Sequence, residues 1–191
     1  MSNRNVIENS EILMSLRDKD IFPNTPDMVD AVFEDRLTGK IVLFNEEGKI
    51  ALVGNKVNDF FILPGGGVEE GESVLNGMRR ECREETGCEI EIQEALGVTE
   101  DFRSRDGKHC ISFCYSAKVV SLGAPMLTEG EAKIGVYVKW FSLPEAIELF
   151  ALQEEKVKAG EVKFYNTCFN IMRDSFFIRH YESSNFMTFG G

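Results

Sequence analysis

Residues 63–88 read LPGGGVEEGESVLNGMRRECREETGC, and this stretch decides the fold. An apolar run that ends at Leu63 predicts a strand, and the glycines that follow predict a turn where a ligand can approach the main chain closely. Ser73 has the character of a helix N-cap, and Gly87 is typical of the residue that ends a helix. The stretch therefore predicts a strand, a glycine turn and a helix, in that order.

Three glutamates lie on the predicted helix. Glu81, Glu84 and Glu85 stand at i, i+3 and i+4, which places their carboxylates on one face. Like charges at that spacing repel, so we expect compensation by a hard divalent cation or by the neighbouring arginines. Oxygen ligands suit Mg²⁺ or Mn²⁺, and Mg²⁺ commonly binds one or two carboxylates together with substrate phosphates. This face predicts half of a metal–diphosphate site, and a solvated acidic face is the alternative that the residues leave open.

The spacing of these residues resembles the signature of the Nudix hydrolase family, G-x5-E-x7-R-E-U-x-E-E-x-G-U. Its fixed positions are all present, at Gly66, Glu72, Arg80, Glu81, Glu84, Glu85 and Gly87. Cys82 and Cys88 occupy the two positions that usually hold bulky aliphatic residues, and cysteine packs there as a small hydrophobic residue. The resemblance covers roughly residues 28 to 152.

The resemblance implies an α/β fold of the Nudix type, an α/β/α sandwich with a mixed β-sheet. It also implies hydrolysis of a pyrophosphate bond in a nucleoside diphosphate-linked substrate with Mg²⁺ or Mn²⁺. Nucleoside triphosphates or modified nucleotides are the favoured substrates, and ADP-ribose, nucleotide sugars and dinucleoside polyphosphates stay open. A Nudix-fold sensor that binds a nucleotide without hydrolysing it is the alternative from another class. Such modules often lose signature carboxylates, and this chain retains them.

The resemblance also implies roles for the signature residues. Transferred by position, Glu81 and Glu85 would be the principal metal ligands, the backbone carbonyl of Gly66 another ligand, and Glu84 a ligand or a base that orients water. These residues would form the metal-binding part of the site.

Four further residues complete the predicted site. By the same resemblance, Glu72 and Arg80 would orient the metal ligands. In some members of the family a downstream acidic residue acts as base or as an extra ligand. Glu129 or Glu131 could do so here, although both could equally be solvent-facing loop charges.

Composition restricts the partners. The chain has 191 residues and a formal net charge of −11, which argues against nucleic acid polymers or an anionic membrane as partners. A small nucleotide remains compatible, because bound cations can reverse the local field of carboxylates. No signal peptide and no membrane-spanning apolar stretch is recognisable, so the expected compartment is the cytoplasm.

We expect one Nudix domain over residues 28–182 that includes a C-terminal helix, an N-terminal extension over 1–27 and a tail over 183–191, with Phe186 and Phe189 as anchors. Apolar residues of the extension could pack on the domain or on a second subunit, so a homodimer stays open. The polar segment 99–108 is expected to be an exposed hairpin loop, with a place in the substrate cleft as the alternative.

Overall fold

The computed structural model describes residues 11–25 and 32–188, with side chains described through residue 184. In chain order the elements are β1 Ile12–Arg17, α1 Asp18–Ile21, β2 Glu34–Phe44, β3 Ile50–Asn55, β4 Phe61–Ile62, α2 Val74–Thr86, β5 Cys88–Arg103, β6 Lys108–Leu122, α3 Glu129–Ile134, β7 Val136–Phe141, α4 Leu143–Lys158 and α5 Tyr165–Thr188. None of the helices in this part of the chain is long and apolar enough to cross a membrane.

The strands form one mixed sheet in the order β1-β5-β6-β2-β3-β4, and β7 pairs with β3. Strands β1 and β5 are parallel, as are β2 and β6, whereas the other pairs are antiparallel. Side chains alternate across β2, so Ile41 packs in the core on the α2 side with Met78, and Val42 packs on the opposite side with Phe169 of α5. The predicted α/β/α sandwich with a mixed sheet is confirmed.

The N-terminal segment is part of the sheet. Strand β1 runs parallel to β5, from Ile12 opposite Val98 to Arg17 opposite Phe102. Leu16 of β1 is buried in the same core as helices α4 and α5. Residues 11–25 therefore belong to the domain, and the expected boundary of an extension at residue 27 is wrong. Residues 1–10 and 26–31 lie outside the described part of the chain.

The C-terminal helix is longer than the sequence indicated. Helix α5 continues through the expected start of a tail at residue 183 and ends at Thr188. Several of its apolar side chains, among them Phe177 and Ile178, are fully buried and fix the helix to the core. The proposed anchors Phe186 and Phe189 lie outside the described side chains.

The polar segment 99–108 is mostly strand. Strand β5 continues to Arg103, and β6 begins at Lys108 after a tight turn. Asp101 and Arg103 are buried and form an ion pair in which Arg103 Nε lies 2.5 Å from Asp101 Oδ1. The expected exposed hairpin loop is therefore limited to residues 104–107, because a buried ion pair makes the charged residues before them compatible with a packed strand.

The short strand β4 is held by side chains from both C-terminal helices. Gln153 of α4 accepts the Phe61 N–H at 2.7 Å and donates to the Phe61 carbonyl at 2.9 Å. Asp174 of α5 accepts the Leu63 N–H at 2.9 Å. These bonds replace the partners that a two-residue strand lacks, and they fix the entry into the glycine segment.

We expect Gln153→Ala to lower the free energy of unfolding by about 2 kcal/mol, because it leaves two buried backbone groups of Phe61 without partners. Urea denaturation measures the change. Gln93→Ala, at an exposed position of β5, is the matched control and should change the free energy by less than about 0.5 kcal/mol. Equal effects of the two substitutions would contradict this role of Gln153.

Candidate active site

The glycine segment, residues 64–68, lies along β2 and is not a free turn, so the turn expected from the sequence is wrong. It lies along the edge of β2 that faces away from β6. On that edge, only the last residue of β2 pairs with another strand, which is β3. Main-chain hydrogen bonds of 3.0–3.1 Å run from Gly39 N–H to the Gly66 carbonyl, from Ile41 N–H to the Pro64 carbonyl and from Val68 N–H to the Leu37 carbonyl. The sheet therefore fixes the position of the segment.

Gly65 requires glycine because of its backbone, and Gly66 leaves room for a carboxylate. Gly65 has φ 115°, and a Cβ there would lie 2.1 Å from the carbonyl oxygen of Gly39. A Cβ on Gly66 would lie 2.5 Å from Oε2 of Glu81. The missing side chain at Gly66 lets the Glu81 carboxylate lie directly against the main chain.

Helix α2 has the ends that the sequence predicts. Ser73 is its N-cap and accepts the Asn76 N–H, and Gly87 ends it in the left-handed conformation. Met78 and Cys82 are fully buried in the core beneath the sheet. Burial of that face turns the glutamates of the helix towards the glycine segment.

Glu85 and Lys40 hold opposite ends of one glycine. Glu85 Oε2 accepts the Gly65 N–H at 2.8 Å, and Lys40 Nζ donates to the Gly65 carbonyl at 2.5 Å. The side chain of Glu85 is only 8% exposed. Burial raises the pKa of Glu85 to about 7, against the opposing effects of Lys40 and the Gly65 N–H. Burial also lowers the pKa of Lys40.

Arg80 joins three carboxylates and a main-chain carbonyl. Its guanidinium binds both oxygens of Glu72 at 2.9 and 3.2 Å and donates to the Gly67 carbonyl at 2.9 Å. Nη1 of Arg80 also lies 2.9 Å from Glu81 Oε1 and 3.3 Å from Glu84 Oε2. The hydrogen bond from Arg80 lowers the pKa of Glu72, and the same contact raises the pKa of Arg80. Arg80 supplies the positive charge that the repelling glutamates need.

The carboxylates of α2 have the chemistry of a hard-cation site. Glu81, Glu84 and Glu85 provide oxygen donors only, which suits Mg²⁺ or Mn²⁺. In the described part of the chain no three metal-binding side chains converge as a ready ligand set, because Glu81 and Glu84 turn towards Arg80. The Gly66 carbonyl accepts one hydrogen bond and keeps its second lone pair. The donor set fits a divalent cation if Glu81 or Glu84 gives up its hydrogen bond with Arg80 and binds the cation instead.

The structure separates the two downstream candidates. Glu131 lines a cavity together with Glu85 and adds to the rise in the pKa of Glu85. One of its oxygens accepts the N–H and hydroxyl of Thr128, which caps the short helix α3. Glu129 is exposed on that helix and is not among the residues that line the cavity. Of the two, only Glu131 is brought to the carboxylate face.

Two cavities flank the site. The first, of about 290 Å³, lies beside the glycine segment and is lined by residues that sequence analysis missed, among them Arg36, Arg103, Lys108 and Arg173. The second, of about 200 Å³, contains Glu85, Glu131 and Phe60. The cationic residues come from separate elements and have no mutual spacing in the sequence, so no local pattern could have grouped them.

A glycine segment fixed to a mixed sheet and faced by a helix that carries three glutamates defines a class of phosphoric-anhydride hydrolases. A family model of the NUDIX domain matches residues 11–166, most of the chain. The protein belongs to the Nudix family and is a pyrophosphohydrolase. The match begins at residue 11, in agreement with the inclusion of β1 in the sheet.

Individual relatives have low sequence identity to this chain. Over 127 residues the chain is 30% identical to an ADP-ribose pyrophosphatase of Methanocaldococcus jannaschii, which covers 65% of this chain and 72% of that protein. A putative 8-oxo-dGTP diphosphatase of Bacillus subtilis is 28% identical over 64% of this chain and 76% of its own length. The solved structure of a Nudix hydrolase from Nitrosomonas europaea is 25% identical, with a TM-score of 0.50 over 62% of this chain and 79% of that chain.

We expect Arg80→Lys to lower kcat/KM at least about tenfold on any substrate the enzyme accepts. A lysine cannot bind both oxygens of Glu72 and the Gly67 carbonyl at once, so the carboxylates lose their common partner. Steady-state kinetics measure the change. The control is Arg79→Lys, an exposed position whose guanidinium makes one long contact to the Leu75 carbonyl. Unchanged kinetics in Arg80→Lys would show that the planar guanidinium of Arg80 is not needed to position the carboxylates.

Glu85 should make the stability of the metal-free protein depend on pH. Its pKa is higher in the folded protein than its ordinary value of 4.5, so folding favours the protonated form. The stabilisation that protonation provides is complete below about pH 4.5 and is lost as the pH rises through about 7. The loss is about 3 kcal/mol.

Glu85→Gln should remove this dependence, because an amide can still accept the Gly65 N–H and does not ionise. The measurement is chemical denaturation in a chelator at intervals from pH 4.5 to pH 8. We expect the variant to gain stability relative to the wild type as the pH rises. Parallel profiles of the two proteins would show that Glu85 ionises normally.

Proposed function

We propose that the protein hydrolyses a pyrophosphate bond in a nucleoside diphosphate-linked substrate with Mg²⁺ or Mn²⁺, and that nucleoside triphosphates or modified nucleotides are its favoured substrates. One observation carries the proposal: Glu81 and Glu85 face the main chain of Gly66 and Gly65 between two cavities. This places acidic oxygens where the two halves of a diphosphate diester would meet. ADP-ribose, nucleotide sugars and dinucleoside polyphosphates are the alternative substrates.

Glu81 and Glu85 would hold the cation, with Glu84 or the Gly66 carbonyl as further ligands. A bound divalent cation would neutralise charge on the phosphate oxygens and lower the pKa of a bound water. The oxygen-only donor set and the small gap between Glu81 and Gly66 support this assignment.

The chain itself keeps the site in order. Lys40 and Glu85 fix the peptide of Gly65, and Arg80 fixes Glu72 to the Gly67 carbonyl. These contacts do not need to change when Glu81 or Glu84 leaves Nη1 of Arg80 for another partner. The protein would therefore hold its donors near their working positions before a substrate arrives, which lowers the cost of reorganisation.

Glu84 is the best candidate for the group that orients the attacking water. Its side chain is 28% exposed, compared with 16% for Glu81 on the same face. A group that takes a proton from water must reach water, and Glu85 is buried and engaged by Gly65. Glu131 is the second candidate, although its capping of α3 occupies one of its oxygens.

Glu81→Gln and Glu85→Gln should each lower kcat by about a hundredfold or more and leave the fold intact, because the amides keep the shape of the side chain and lose its charge. The measurement is chromatographic detection of the nucleotide products from a panel of nucleoside triphosphates, ADP-ribose, nucleotide sugars and dinucleoside polyphosphates, with Mg²⁺ or Mn²⁺ added. Glu89→Gln is the control, because Glu89 is exposed and pairs with Arg83 away from the site.

We expect at least one compound of the panel to be hydrolysed by the wild type, and no activity in a chelator. Turnover at the wild-type rate in either variant would disprove the roles of Glu81 and Glu85. A folded wild-type protein that hydrolyses none of the panel with either metal would contradict the proposed substrate class.

A further inference from the structure

The cavity beside the glycine segment is strongly cationic in a chain of net charge −11. Its lining includes five positively charged side chains, Arg36, Lys40, Arg103, Lys108 and Arg173. Among the described residues that line it, Asp106 is the only carboxylate. A cluster of cationic side chains around a cavity attracts anions to it.

Some of these charges are neutralised within the protein. Arg103 is paired with buried Asp101, and Arg173 with buried Asp174. Both arginines are themselves buried. Both aspartates are buried and held by their arginines, so they are not free to move away when a ligand enters.

The cations at the rim are more available. In the described part of the chain no hydrogen bond or ion pair is recorded for Arg36, whose guanidinium lies near Gly67. Lys108 pairs with Glu34 at 2.6 Å, and the Glu34 side chain is 76% exposed. An incoming anion could therefore displace Glu34 into solvent and bind Lys108 at little cost, since exposed ion pairs are weak.

The second cavity differs in its chemistry. Its described lining contains no lysine or arginine. It includes Phe60, Ile134 and Val136, the amides of Asn55 and Asn58, and the carboxylates of Glu85 and Glu131. The cationic cavity has no aromatic residue among its described lining. An aromatic ring with neutral hydrogen-bonding groups suits a nucleoside, whereas guanidinium and ammonium groups suit phosphate. Ile62 and Asn170 line both cavities, so one ligand can reach both.

We propose that the cationic cavity binds phosphate beyond the scissile bond, with Arg36 and Lys108 as its specificity-determining residues. The inference rests on the proposed function and narrows its substrate class. The nucleoside lies in the second cavity, the reacting diphosphate lies at the α2 carboxylates, and the remaining phosphate lies against Arg36 and Lys108. The enzyme therefore prefers nucleoside triphosphates to nucleoside diphosphates that are esterified with an uncharged sugar.

The test compares substrates in pairs that share a nucleoside: ATP with ADP-ribose, GTP with GDP-mannose, and UTP with UDP-glucose. We expect the triphosphate of the accepted nucleoside to have the higher kcat/KM by about tenfold or more. In the double variant Arg36→Gln/Lys108→Gln, kcat/KM for the triphosphate should fall by about the same factor and that for the sugar compound should change little. Lys49→Gln is the control, because it removes a similar exposed lysine–glutamate pair beyond the other end of β2.

Glu34→Gln provides a test that damage to the fold cannot imitate. It frees Lys108 from its partner, so we expect tighter binding of inorganic triphosphate to the metal-free, full-length protein in a calorimeter. Arg36→Gln and Lys108→Gln should each weaken that binding.

The outcomes separate this inference from the proposed function. If the paired substrates are hydrolysed equally well and the double variant affects both alike, the inference is overturned and the function stands. If nothing is hydrolysed but triphosphate binding responds to the three variants as expected, the anion site stands and the function fails. Unchanged triphosphate binding in all three variants would overturn the inference directly.

Discussion

The peptide of Gly65 is the point on which the site depends. Lys40 of β2 binds its carbonyl, and Glu85 of α2 binds its N–H. The two bonds connect the central sheet, the glycine segment and the carboxylate helix through a single residue, and both charged groups are buried. Replacement of either side chain by an apolar one would leave a main-chain group of Gly65 without its partner, which destabilises a buried site.

The acidic face of α2 is stable because an arginine of the same helix compensates the repulsion between its carboxylates. Arg80 contributes one planar donor group to Glu72, Glu81, Glu84 and the Gly67 carbonyl. Glu72 is bound at both oxygens and is held firmly, whereas Glu81 and Glu84 share one nitrogen and are held more loosely. The firm contacts maintain the geometry, and the loose ones leave carboxylates available for a cation. Glu85 lies beside these carboxylates in a buried position. A positive charge bound there would stabilise its ionised form.

The local features of the site were predictable from the sequence, and its long-range features were not. Ser73 and Gly87 bound the helix as expected because caps act through neighbouring backbone groups. The place of β1 in the sheet depends on parallel pairing with β5, more than 80 residues away, for which Ile12–Arg17 carries no local signal. Arg103 is a charged residue that would be expected at the surface. It is buried because Asp101 neutralises its charge. The cationic cavity likewise forms only where separate elements meet in the folded chain. The spacing of residues in the sequence therefore did not indicate Arg36 and Lys108 as site residues.

We expect the α2 carboxylates to leave Arg80 for a divalent cation while Arg80 keeps Glu72 in place. Anomalous diffraction from crystals grown with Mn²⁺ and a non-hydrolysable nucleoside triphosphate analogue measures this directly. The expected result is a manganese peak in contact with the carboxylates of Glu81 and Glu85, with Arg80 still bound to Glu72 and to the Gly67 carbonyl. A manganese peak elsewhere, with Glu81 and Glu84 still bound to Arg80 beside the occupied analogue, would contradict it.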